Sequence, residues 1–151
     1  MGLENDIRVL GRVELFHNLS NDQLRLLAFG AETVKTPAGR DIYRPDTPAD
    51  GALIIVEGEI SLYQIQDDKR VEIGKVEKGA VLGELALISP TRHPTGATAA
   101  TDCELLRLNR KLFRRMLEEY PETALALHRR ISENLKAMLD RITPLGQVFD
   151  D

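Results

Sequence analysis

Short apolar runs separated by turn residues fill the chain from Ala31 to Leu108, and they constrain its fold more than any other feature. The runs are rich in β-branched residues or alternate apolar with polar positions, which is typical of strands. Glycine, proline and aspartate lie between them, where tight turns are needed. Many short strands at even spacing predict a barrel or a jelly roll. The predicted strands cover residues 33–36, 41–43, 53–56, 59–65, 71–76, 95–100 and 104–108.

Helical patterns flank this β region on both sides. Before it, Ser20 and Gln23 form a capping-box start for a helix, and Gly30 provides a stop. After it, Asn109 is a suitable N-cap, and Pro121 separates two helices because proline is tolerated in the first turn of a helix but not further in. A chain of 151 residues is the size of one domain. We therefore expect a single, mainly β domain over 1–151, divided into N-terminal helices (1–30), the β-roll (31–108), two C-terminal helices (109–143) and a tail (144–151).

Charge and composition argue against several classes of partner. The chain carries 20 basic and 24 acidic residues, a net charge of -4, so it lacks the basic surface that binds a nucleic-acid backbone. No apolar run approaches the roughly 20 residues that a bilayer requires, and the N-terminus does not resemble a signal peptide. Cys103 is the only cysteine, which excludes an internal disulfide and fits a reducing compartment. We expect a cytoplasmic protein that binds neither DNA nor membrane.

The sequence contains no recognisable catalytic or metal-binding motif. His17, His93 and His128 do not have the spacing of zinc ligands. Ser89 and Ser132 have no nucleophile-elbow glycines around them. We therefore expect that the protein is not an enzyme and that it has neither a metal nor a cofactor.

One segment inside the β region has helical composition, the run 84–88, which Gly83 precedes. A glycine ahead of a one-turn helix lets the backbone approach a ligand closely, and the free N–H groups at the helix start favour an anion. Glu84 supplies an acceptor for a sugar hydroxyl, and Arg92 supplies a counter-charge with forked donors for a phosphate. A carboxylate and a guanidinium flanking exposed backbone donors suit a ribose phosphate.

These residues resemble the cyclic nucleotide-binding domains of catabolite-activator-type regulators, kinase regulatory subunits and gated channels. The segment Gly83-Glu84-Leu85-Ala86-Leu87 is similar to the phosphate-binding cassette of that family. The segments 13–20, 50–60 and 101–108 also match, so that the resemblance covers nearly the whole chain. It implies a β jelly-roll (double-stranded β-helix) barrel. It also implies that the cassette binds cAMP or cGMP, with its glutamate on the ribose 2′-hydroxyl. It also implies an arginine on the cyclic phosphate, and a threonine or serine three residues further on.

Two registers of the following loop assign these last two roles differently. An ungapped alignment from the cassette places His93 at the arginine position and Gly96 at the hydroxyl position. Shortening the loop by one residue places Arg92 and Thr95 there instead. We favour the second register, because a buried phosphate without a guanidinium loses its best counter-ion. Pro94 departs from the family pattern, since it removes a backbone donor and restricts the residue before it.

The apolar residues of the last helix allow two interpretations. One set has the alternating four-three spacing of a coiled-coil seam, which predicts a homodimer through this helix. Leu125, Leu127 and Leu139 then face the chain's own barrel. In the alternative, the helix packs only on its own domain. The predicted seam consists of Ala124, His128, Ile131, Leu135, Met138 and Ile142.

The resemblance implies a cyclic-nucleotide-binding regulatory module whose C-terminal helices relay ligand binding to an effector protein of unknown identity. Only residues 143–151 follow the last helix, so we expect no helix-turn-helix domain in this chain. The alternative function is that of a degenerate, ligand-free barrel that serves protein interaction or dimerisation. The competence of the cavity to bind a nucleotide distinguishes the two.

Overall fold

The structure is a computed structural model that describes residues 2–134, and its first part is helical. Helix α1 covers Leu3–Gly11, a short 3₁₀ helix covers Glu14–Phe16, and helix α2 covers Asn21–Gly30. The Ser20 hydroxyl accepts a hydrogen bond from the Gln23 amide at 3.2 Å, and the Gln23 side chain accepts one from the Ser20 amide at 2.9 Å. The predicted capping box is therefore confirmed, as is the end of α2 at its glycine.

The β region contains every strand that the sequence predicts. Each of them begins and ends within two residues of its predicted bounds. Three two-residue strands, β3, β7 and β8, were not predicted, because two residues carry no periodicity to recognise. The strands are β1 (Glu32–Thr36), β2 (Asp41–Tyr43), β3 (Pro48–Ala49), β4 (Gly51–Glu57), β5 (Glu59–Gln66), β6 (Lys69–Glu77), β7 (Val81–Leu82), β8 (Thr91–Arg92), β9 (Gly96–Ala99) and β10 (Cys103–Asn109).

The strands pair antiparallel in two four-stranded sheets, ordered β1-β10-β4-β7 and β2-β9-β5-β6, with a small ribbon of β3 and β8. This arrangement confirms the predicted mainly β jelly roll, although the described strands do not close into a continuous barrel. Strand β4 is buried along most of its length, because Leu53 and Ile55 point between the sheets while Ile54 points toward the helices. Burial on both faces explains why this strand reads as an uninterrupted apolar run.

Two helices follow the last strand. Helix α3 covers Arg110–Glu119, and the Asn109 side chain caps it by accepting a hydrogen bond from the Leu112 amide at 2.9 Å. A further helix, α4, occupies residues 121–134 of the described chain, so it begins at the predicted proline. Within residues 2–134, no helix has both the length and the apolar character needed to cross a membrane.

Helix α4 packs on its own domain with residues that the sequence assigned to a dimer seam. Ala124 and Ile131 are fully buried beside Leu127 in the core between helices and sheet. Leu125, expected to face the barrel, is 59% exposed. The assignment of Ala124, Ile131 and Leu125 was wrong, whereas the buried Leu127 faces its own domain as predicted. Steps of three and four residues define several overlapping helix faces, and only the tertiary packing selects one. The predicted seam residues Leu135, Met138 and Ile142, together with Leu139, lie outside the described residues.

Candidate functional site

A cavity of about 530 Å³ opens beside the short helix that interrupts the β region. Its walls come from strands β2, β3, β5, β7 and β8, from the loop before β9, and from Ile131 of α4. This volume lies in the range of small-molecule binding sites. Six of the seven predicted site residues line the cavity: Gly83, Glu84, Leu85, Arg92, His93 and Thr95. The seventh, Ala86, does not line it and is fully buried behind it.

The cassette, residues 83–87, owes its shape to its first residue. Gly83 adopts a left-handed conformation with φ +73°, which side chains with a Cβ rarely adopt, and a 3₁₀ helix then covers Glu84–Leu87. A Cβ on Gly83 would lie 3.3 Å from the Gly51 carbonyl oxygen of β4, so the cassette sits tightly against that strand. Ala86 and Leu87 are buried and anchor the turn, whereas Glu84 and Leu85 remain half-buried at the cavity.

Glu84 lies between two cavities. It lines the cavity beside the cassette and also a smaller one of about 380 Å³, whose wall includes Arg130 and Asn134 of α4. Burial raises the pKa of the Glu84 carboxyl, and the Asn134 side chain partly opposes this by hydrogen bonding to it. The predicted ribose acceptor is therefore also a contact of the last helix.

Arg92 turns away from the cavity interior. Its Nε donates to the Asp46 carbonyl oxygen at 3.0 Å and to the Asp46 carboxylate at 2.9 Å, and Nη2 also donates to that carbonyl. The Arg92 side chain is 59% exposed. The guanidinium thus already has a protein partner on the solvent side.

His93 lies against the cassette. Its ring stacks on Tyr43 with centroids 3.6 Å apart and planes inclined by 10°. The His93 amide donates to the Thr47 carbonyl at 2.8 Å, and its carbonyl accepts from the Asp46 amide at 2.7 Å. Burial lowers the pKa of His93, and the charge of Asp50 partly opposes that shift.

Thr95 contacts Tyr43 rather than standing alone at the cavity. Burial raises the pKa of the Tyr43 phenol, and a hydrogen bond with the Thr95 side chain partly opposes this. Tyr43 therefore joins His93 and Thr95 into one wall of the cavity. The sequence did not single out Tyr43, because its partners are distant along the chain and nothing in its own strand signals them.

The sequence profile described as "Cyclic nucleotide-binding domain" matches residues 33–120, more than half of the chain and all of the cavity wall except Ile131. The chain belongs to the cyclic nucleotide-binding domain family.

Relatives of this cyclic nucleotide-binding domain include both regulators and enzymes. A cAMP-dependent protein kinase regulatory subunit of Eremothecium gossypii is 33% identical over 116 residues, which cover 77% of this chain and 24% of that protein. A lysophospholipase of Yarrowia lipolytica is 25% identical over 139 residues, which cover 79% of this chain but only 10% of that protein. The chain thus spans a minor part of the length of these relatives.

Solved structures share the fold at higher coverage. A cyclic nucleotide-binding-like protein from Brucella abortus is 50% identical, with a TM-score of 0.70 over 76% of this chain and 98% of that one. The N-terminal domain of a transcriptional regulator from Streptomyces coelicolor is 27% identical, with a TM-score of 0.79 over 89% of this chain and 94% of that one. The jelly-roll architecture therefore agrees with structures of the same family.

In this cyclic nucleotide-binding domain, Arg110 is a positioning residue that sequence reasoning missed. Its Nε donates to the Ala86 carbonyl at 2.9 Å, and its Nη2 donates to the Ala49 carbonyl at 3.0 Å. Its own amide donates to the Asp50 carbonyl at 2.9 Å. One side chain at the start of α3 thus ties the cassette to strand β3. An arginine directly after an N-cap is the only sequence signal, and that pattern is common in solvent-exposed helices.

The raised pKa of Glu84 predicts that Glu84→Gln stabilises the unliganded protein at neutral pH. A carboxyl whose pKa is higher in the folded than in the unfolded state lowers the free energy of unfolding once the pH rises above its pKa in the unfolded state. A neutral amide of the same shape removes that cost, so we expect the thermal midpoint to rise by a few degrees at most. The gain should disappear below about pH 4.5, where the carboxyl is protonated in both states. Thermal melts of wild type and Glu84→Gln from acid to neutral pH test this. A higher thermal midpoint of the variant that persists at acid pH would show that ionisation of the carboxyl is not the cause.

Proposed function

We propose that this domain is a regulatory module, not an enzyme, that binds cAMP or cGMP in the cavity beside the cassette. The observation that carries the proposal is the composition of one cavity: the cassette, the loop 91–95 and Ile131 of α4 all line it. A ligand held there touches both the family's predicted binding segment and a C-terminal helix. The function named by the kinase regulatory relative supports the same ligand class.

The lining of the cavity suits a ligand with a hydroxyl-bearing and an apolar part. Glu84 offers an acceptor for a sugar hydroxyl, and Thr95 offers a hydroxyl group. Leu62, Val81 and Leu82 provide an apolar wall suitable for a base. The cavity volume of about 530 Å³ can hold a ligand of nucleotide size.

The contacts of the cassette supply a route from the cavity to the C-terminal helices. Glu84 interacts with Asn134 of α4, and Leu87 packs in the same core cluster as Phe113 of α3 and Ile131 of α4. A ligand that engages Glu84 competes with its contact to α4. Ligand binding therefore shifts the equilibrium between two positions of α4. The size of the shift is set by the difference between the affinities of the ligand for these two positions.

The C-terminal part of the module transmits ligand binding to a partner. We propose that α4 and the chain beyond it contact a second copy or an unknown effector protein in the cytoplasm. Leu125, exposed on α4, is an apolar position available to such a partner. The mass of the protein in solution, measured by light scattering with and without nucleotide, tests the homodimer.

The alternative function is a ligand-free interaction module. The engagement of Arg92 by Asp46 favours it, because the strongest cation near the cavity is already paired. In that case the jelly roll acts as a scaffold and its exposed surfaces recruit the partner.

Calorimetric titration with cAMP, cGMP and, for comparison, noncyclic AMP decides between the two functions. We expect measurable heat with at least one cyclic nucleotide and a roughly tenfold weaker affinity in Glu84→Gln, because the amide is a weaker acceptor than the carboxylate. Glu14→Gln is the matched control, since Glu14 lines only the smaller cavity. The absence of both heat and thermal shift with either cyclic nucleotide at millimolar concentration excludes the receptor function.

A further inference from the structure

We propose that His93, not Arg92, binds the phosphate of the ligand, and that a proton on the His93 imidazole strengthens this binding. The proposal rests on the proposed function, because it needs a phosphate-bearing ligand in the cavity. It reverses the loop register that the sequence favoured.

Among the described residues that line the cavity, only the side chains of Arg92 and His93 can carry a positive charge, and they are adjacent in sequence. A phosphate that leaves water for a partly enclosed cavity needs a counter-charge or strong donors to offset its desolvation. The choice between the two side chains therefore decides where the phosphate binds.

The contacts of Arg92 direct its guanidinium toward solvent. It forms three hydrogen bonds with Asp46, to the carbonyl and to the carboxylate. Asp46 adopts a left-handed conformation with φ +57°, unusual for a residue other than glycine. To reach a ligand, Arg92 would have to give up all of these bonds, so its affinity for a phosphate is reduced by their loss.

The contacts of His93 hold its imidazole beside the cassette. The Tyr43 stack occupies a face of the ring and leaves its edges free. Cε1, the atom between the two nitrogens, lies 3.9 Å from the position of a Cβ on Gly83. The corner between the two ring nitrogens thus lies nearest the cassette glycine, and hydrogen bonds to Asp46 and Thr47 hold the backbone of residue 93. The ring is fixed before any ligand binds, which lowers the entropic cost of binding.

The charged groups around His93 favour a neutral ring without ligand and a protonated ring with it. Burial lowers the pKa of His93, and Asp50 is the charged group that opposes this shift. Tyr43 is neutral, since burial raises its pKa, while Arg92 and Asp46 pair with each other. Glu84 shares the cavity and is the remaining acidic group on its wall. A bound phosphate adds a negative charge at the ring edge and stabilises the imidazolium.

The sign of the pH effect follows from this change in protonation. The ligand raises the pKa of His93, so affinity increases as the pH falls from the pKa of the complex to that of the unliganded protein. Within that interval the dissociation constant changes by at most about tenfold per pH unit, because a single proton is taken up. A cyclic phosphodiester has no group that titrates near neutrality, which assigns the proton to the protein.

The test is calorimetric titration with cAMP and cGMP from about pH 5.5 to about pH 8, in buffers of different ionisation heat that report proton uptake. Wild type should bind more tightly at acid pH and take up protons. His93→Gln should lose the pH dependence and bind roughly tenfold more weakly at acid pH, because a charge-assisted bond is lost. His93→Arg should bind without pH dependence, and Arg92→Gln should retain that dependence. Circular dichroism of each variant verifies folding.

Three results overturn the assignment. Wild-type binding that is independent of pH would show that His93 takes up no proton with the ligand. If Arg92→Gln abolishes binding while His93→Gln binds as wild type does, Arg92 holds the phosphate. In both cases the proposed function survives. If wild type binds neither nucleotide at any pH, the proposed function fails and the assignment fails with it.

Discussion

Gly51→Ala is expected to lower the free energy of unfolding by about 3 kcal/mol, because the added methyl group has no space in a packed sheet. Gly51 pairs with Asn109 where β4 meets β10. A Cβ at this position would overlap the Leu108 carbonyl oxygen and approach the Asn109 Cα within 2.7 Å. Both obstacles are backbone atoms, so the strands must separate to relieve the overlap. Urea unfolding followed by circular dichroism measures the loss.

Gly74→Ala is the matched control for this substitution. Gly74 also lies in a strand, β6, but a Cβ there would meet no atom within 4 Å. We expect a change within about 0.5 kcal/mol, as for other surface substitutions. Equal losses of unfolding free energy in Gly51→Ala and Gly74→Ala would contradict this explanation. They would show that replacing glycine by alanine in a strand, and not the overlap with backbone atoms, causes the loss.

Arg110→Ala is expected to destabilise the protein by about 2 kcal/mol and to loosen the cassette, because it removes two hydrogen bonds from a charged donor. The carbonyl oxygens of Ala86 and Ala49 lose the bonds that join the cassette and β3 to α3. Amide hydrogen exchange should therefore accelerate at Ala86 and Ile88, whose N–H groups bond within the cassette turn. Nucleotide affinity should fall as well, since an unconstrained cassette loses more conformational entropy when the ligand binds.

Two variants separate this positioning role from a general effect of charge. Arg110→Lys keeps the charge but has no rigid fork to reach both carbonyls, so its effect should be intermediate. Arg114→Ala removes an exposed arginine from the same helix and should leave exchange in the cassette unchanged. Unchanged cassette exchange in Arg110→Ala, alongside lower stability, would show that the arginine supports the fold without positioning the cassette.

Much of the fold was predictable because its signals are local. The capping box at Ser20 and Gln23 and the cap at Asn109 depend on residues three positions apart. The strands were recognisable from their alternation and turn residues, and Gly83 marked the cassette because its backbone needs a left-handed conformation. Nearly all of the predicted site residues meet at one cavity, because one short segment of the chain supplies them.

Other parts of the site were not predictable, because their partners come from elsewhere in the chain. Tyr43 reaches His93 and Thr95 across the sheet, and Arg110 reaches the cassette from α3. Helix α4 illustrates the same limit, since Leu125 and Ala124 are neighbours of similar character in the sequence. The core cluster of helix and strand residues buries Ala124 and leaves Leu125 exposed.

The amino-acid sequence by itself determined the jelly-roll strands, the helix caps and the position of the cassette, because each follows from residues close together in the chain. Only the tertiary structure decided how the two neighbouring cationic side chains at the cavity, Arg92 and His93, are partnered. Asp46 draws Arg92 toward solvent, and Tyr43 holds His93 beside Gly83. These partners lie more than forty residues away along the chain, and the folding of the sheets brings them together.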